Sequence, residues 1–101
     1  MRGADWSKGE IEAVVEDYFA MLREQQRGVR PNKAAHRREL AERLTERSHK
    51  AIEYKHMNIS AVLDEKGLPY VEGYRPMPHY QQALKDAVEE YLASHPRFRT
   101  R

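Results

Sequence analysis

From Ile11 onward, apolar side chains return at three- and four-residue steps: Ile11, Val14, Val15, Tyr18, Phe19 and Leu22. At about 100° per residue these positions share one side of a helix, so the segment must bury a stripe against other elements. The start of that helix is marked twice. Ser7 is followed three residues later by Glu10, the reciprocal pair that satisfies free amide donors at a helix start. Trp6 precedes the cap and Ile11 takes the fourth helical position, the spacing of a hydrophobic staple. Glu10, Glu12, Glu16, Asp17 and Glu24 occupy the other face, which is expected to be an acidic outer surface. Gly28 and Pro31 end the segment.

The same period recurs three more times. A second helix is expected from an Asn32 cap to about Glu46, with a thin stripe of Leu40, Ala41 and Leu44 backed by Ala35. Lys33, His36, Arg37, Arg38, Arg43 and Arg47 surround that stripe, so this helix needs neighbours to be stable. Ser48 caps a third helix that runs to about Lys66, with Gly67 as its stop. Its core face is Ile52, Ile59, Val62 and Leu63, bordered by Lys55 and His56; Lys50, Glu53, Tyr54 and Met57 point outward. Asn58 stands at the edge of the two faces and is expected to bond loop backbone near Tyr70 or Gly73.

Residues 68–78 hold three prolines and read as a loop; a short strand at Tyr70–Val71 would have no evident pairing partner. The fourth helix is expected from near Pro78, with Tyr80, Ala83, Leu84, Ala87, Val88, Tyr91 and Leu92 on one face and Pro96 closing it. The chain therefore reads as one all-α, four-helix domain over residues 1–96, with residues 97–101 as a basic tail or linker.

Composition narrows the function. Eighteen Leu, Ile, Val and Phe in 101 residues make a thin core, but a net charge of only +2 opposes disorder. With no cysteine, disulfides, thiolate metal sites and cysteine nucleophiles are excluded. There is no apolar run of membrane-spanning length and no signal-type stretch in MRGADWSKGE, so a cytoplasmic setting without membrane contact is expected. Ser7, Ser48, Ser60 and Ser94 have no triad-like histidine and acid context, and no glycine-rich phosphate loop occurs. Glu12 and Glu16 are four apart without a histidine. His56-Met57-Asn58 has no second ligand to share a metal, so His56 is expected as a hydrogen-bonded core residue. No catalytic residue, metal or cofactor is expected. Tyr70 and Tyr74 are expected to cover the core from the loop.

Charge is unevenly spread. Between Arg27 and His56 nine basic residues face four acidic ones, a net +5, which leaves −3 for the rest. His36, His49 and His56 fall in the same stretch. Arg38–Glu42 and Glu39–Arg43 are spaced to pair along the helix, which would neutralise part of this charge. The short Arg47-Ser48-His49 connection predicts a helix-turn-helix-like corner between helices two and three. Such a corner presents the start of its second helix to a DNA major groove. Lys33, Arg37, Arg38, Arg47, His49 and Lys50 would then hold phosphates, together with the amides after Ser48. Lys50, Tyr54 and Met57 would read bases or modified bases, while Asp64 and Glu65 would keep the far end of the helix off DNA. The competing expectation is a protein-interaction or dimerisation module built on Tyr54 and Met57.

Three runs carry a resemblance: NKAAHRR at 32–38, RSHKAIEYKHMNISAVL at 47–63 and GLPYVEGYRPMPHYQ at 67–81. Together they resemble a small helical domain at the N-terminus of bacterial proteins that carry HNH-type or other restriction-endonuclease-like nuclease domains, including phage-defence proteins. The resemblance runs from about Trp6 to Val88 and is most specific over Ile52–Leu63. It implies a DNA-targeting or accessory module that works with a downstream or separate nuclease domain.

Overall fold

The computed structural model describes residues 6–100, and among them it contains four α-helices, a terminal 3₁₀ turn and no strand. Helix α1 (Lys8–Gln26) begins with the capping box: Ser7 Oγ accepts from Glu10 N at 3.2 Å and Glu10 Oε1 accepts from Ser7 N at 2.9 Å. Trp6 and Ile11 are both buried beside it, as the staple requires. Helix α1 is central and packs on each of the other three helices. It buries Val14, Tyr18, Phe19 and Met21 without measurable exposure.

Helix α2 (Lys33–Arg43) is capped by Asn32, whose Oδ1 accepts from Ala35 N. It stops three residues before the expected Glu46. Leu44 leaves helical geometry at φ −111°, ψ 66° and turns its side chain into the core. Helix α3 (His49–Glu65) starts on the Ser48 cap, with Ser48 Oγ accepting from Ala51 N at 3.0 Å. Helices α1 and α3 end alike. Gly28 and Gly67 take φ of 83° and 71°, and Val29 N and Leu68 N reach back to Glu24 O and Leu63 O, each at 2.9 Å. That closure needs a residue without a Cβ penalty, which glycine supplies.

The segment between α3 and α4 carries no regular structure, but it is tethered. Asn58 Nδ2 donates to Met77 O at 2.6 Å, and Met77 N donates to Met57 O at 3.1 Å. Asn58 thus does bond loop backbone, at Met77 rather than near Tyr70 or Gly73. Gln25 grips the same loop, donating to Tyr70 O and accepting from Glu72 N. Helix α4 (Gln82–Ser94) begins four residues after the expected Pro78 because His79 sits at φ 69°, a left-handed conformation that a helix cannot traverse. The expected basic tail is, as far as Arg99, a 3₁₀ turn (Pro96–Arg99) that inserts Phe98 into the core at 1% exposure. Phe98 lies 5.0 Å from Phe19, which stacks on Tyr91 at 4.3 Å. No described helix is long and apolar enough to cross a membrane.

Candidate nucleic-acid interface

The charges that look outward on a helical wheel do not all remain outward in the fold. On α1, three of the five carboxylates expected at the surface turn to the basic middle of the chain. Glu10 takes a two-pronged contact from Arg47, with Nε to Oε2 at 3.0 Å and Nη2 to Oε1 at 2.8 Å. The hydrogen bond from Arg47, then that from the Ser7 amide, holds the Glu10 carboxyl down at about 2 against an ordinary 4.5. Asp17 and Glu24 face His36 on α2. Glu12 and Glu16 stay exposed.

Arg47 is therefore withdrawn from the expected set of phosphate contacts. Its guanidinium lies 4.8 Å from the centre of the Trp6 ring, with Lys55 Nζ at 5.3 Å from the same ring. Two cations here help hold the N-terminal staple in place.

Helices α2 and α3 lie side by side, and an ion pair marks their seam: Arg37 Nη1 stands 3.5 Å from Glu53 Oε2. On α2, Arg38 is exposed next to Arg37 and forms no ion pair with a described residue. On α3, Ser48, His49 and Lys50 are exposed at the first turn, and Tyr54 follows at 42% exposure. Met57 is half-buried and packs against the core from the same side. Lys33 is half-buried, its Nζ 5.4 Å from the Tyr74 ring centre. Burial pushes the Tyr74 hydroxyl up to about 12, against the pull of the Arg37 guanidinium.

The expected set thus separates. Arg38 on α2 and Ser48, His49, Lys50 and Tyr54 on α3 are exposed, whereas Lys33, Arg37 and Met57 are half-buried, Arg37 in its pair with Glu53. Arg47 points to α1. The sequence also held an exposed cation left out of that set, Arg43. It lies roughly 140° around α2 from Arg38, on the side of the helix that carries His36 and faces α1. Its position could have been read from the wheel once Leu40 was fixed as the buried centre of α2.

The remaining polar residues of α3 are structural. Ser60 Oγ and Tyr18 Oη are 2.8 Å apart, and Tyr18 Oη accepts from Val71 N at 2.9 Å, which ties α1, α3 and the loop together. His56 is wholly buried, as expected, but not as a hydrogen-bonded residue. Its Nε2 approaches Asp17 Oδ2 at 3.2 Å without hydrogen-bond alignment, and neither ring nitrogen has a hydrogen-bond partner. The rings of Tyr74 and Tyr18 flank it at 4.9 and 6.0 Å. Among the described residues no group of histidines and carboxylates is arranged to hold a metal ion. Compared with known proteins, the chain matches no protein family, no curated protein and no solved structure.

Proposed function

We propose that this chain is a duplex-DNA-binding module that uses the α2–α3 seam, with Arg38, His49 and Lys50 on phosphates and Tyr54 and Met57 towards the bases. One observation carries the reading: two adjacent helices, joined by the Arg37–Glu53 pair, both carry exposed cations, and the second also carries an exposed aromatic. A phosphate backbone needs cations spaced along a surface, and a base edge or face needs an adaptable polar-tipped ring. The start of α3, where Ser48, His49 and Lys50 are exposed, adds the positive end of a helix to the same reading. The setting that the sequence resemblance implies is a bacterial restriction-type or phage-defence nuclease system, in which this module targets and a separate or downstream domain cuts. Catalysis is not assigned to this chain.

The test separates positioning from reading. Arg38→Ala combined with Lys50→Ala lowers affinity for every duplex by about the same factor, roughly tenfold or more, as loss of two phosphate contacts requires. Tyr54→Ala instead flattens the preference among sequences or modified bases more than it lowers overall affinity. Unchanged duplex binding in the double variant removes the seam from the reading. A second reading, a protein-docking surface, draws on Tyr54, one of two exposed large hydrophobic residues among those described. It predicts binding that hardly responds to salt.

A further inference from the structure

Helix α2 has a weak hold on the body of the molecule. Leu40 is its single buried residue, and Leu44 follows just past its end. What else fastens it to α1 is His36, and the geometry there is specific. Nδ1 stands 2.8 Å from Asp17 Oδ1, and Nε2 stands 3.2 Å from Glu24 Oε1, with the imidazole side chain 20% exposed. Ionised carboxylates only accept hydrogen bonds, and a neutral imidazole carries a single N–H. Both contacts can be made together only by the imidazolium. Neutral, the ring must turn a lone pair on one of two anionic oxygens.

We propose that His36 is a proton-operated latch on α2: protonated, it bridges Asp17 and Glu24 and clamps the helix to α1; deprotonated, it gives up one of those contacts and α2 loosens. The groups around it leave no substitute. From α1 only Asp17 and Glu24 face the ring, and neither has an ion pair to an arginine or lysine among the described residues. From α3, His56 shares Asp17 through Oδ2, and Glu53 is engaged with Arg37. From the loop, Tyr74 packs on His56 and under Lys33.

Burial alone would make His36 harder to protonate, but the hydrogen bond and charge of Asp17, then those of Glu24, outweigh it and raise it above the ordinary 6.5. A group raised on folding contributes stability that is complete below its unfolded value and fades as pH climbs through its folded one. The latch is therefore shut below about pH 6.5 and opens on the alkaline side of that value. This holds whether or not DNA is the ligand; only its consequence for affinity, through Arg37 and Arg38 on the same helix, rests on the reading above.

Amide hydrogen exchange, corrected for the intrinsic pH dependence of the rate, tests it at pH 6 and pH 9 with α1 and α4 as internal references. Protection of α2 is partly lost at the higher pH while α1 and α4 hold. In His36→Gln, which cannot carry the charge, α2 is weakly protected at both. Equal α2 protection at the two pH values in the native chain, or a native-like fall in the Gln variant, overturns the proposal. Should that variant fail to fold, NMR titration of the native chain decides. The His36 ring and the α2 amides then share one midpoint above 6.5, and a midpoint at or below 6.5 refutes the latch.

Discussion

Glu10 shows how much a single side chain can carry in a domain with a thin core. Its carboxylate caps α1 through the Ser7 amide and at the same time receives the Arg47 guanidinium, a residue 37 positions away. Because its carboxyl is held at about 2 rather than 4.5, its contribution is present above the ordinary value and drains away as pH falls from there through about 2. Glu10→Gln should therefore cost roughly 1–2 kcal/mol near neutrality. It should also flatten the decline of stability between pH 5 and pH 2, read as thermal midpoints over that range; parallel curves for variant and native chain would contradict this. Half of the role was legible in the sequence. The cap is a local pattern of two residues three apart, whereas the partnership with Arg47 depends on where the chain returns after two helices. Asp17 and Glu24 were misplaced on an outer face for the same reason: a wheel shows which residues are not apolar, not which of them meet a histidine on the next helix.

At the scale of the helices, ends marked by a capping side chain or a closing glycine were readable and the others were not. Ser7, Asn32 and Ser48 start helices as their side chains dictate, and Gly28 and Gly67 terminate them because each closes the last turn at positive φ. The end of α2 is set by Leu44 swinging into the core, and the start of α4 by His79 at positive φ, neither of which has a residue signature strong enough to announce it. Phe98 was hidden more thoroughly. A lone aromatic among three arginines has no period, and its partners Phe19 and Tyr91 belong to α1 and α4. Burial on that stack makes Phe98→Ala a cavity-forming change worth about 3–5 kcal/mol, a large share of what a domain of this size can hold. Urea unfolding should show the midpoint falling sharply; a midpoint within error of the native value would mean that the 3₁₀ turn does not close the core.

Across the whole molecule, the charge asymmetry seen in the sequence survives folding in reduced form. The fold sets Arg47 against Glu10 and His36 against Asp17 and Glu24, pairs Arg37 with Glu53, and leaves Arg38, His49, Lys50 and Tyr54 exposed on α2 and α3. Arg43 looks elsewhere. On the proposed duplex-binding reading few phosphates would be held, so affinity should be modest and the salt response shallow compared with proteins that contact many. The measurement that tests this most directly is the affinity for one duplex across a series of salt concentrations at fixed pH. A log–log slope of about −2 to −3 is expected, becoming shallower by nearly two when Arg38 and Lys50 are both replaced by alanine. A slope near zero, or a slope that the double variant leaves unchanged, would contradict it.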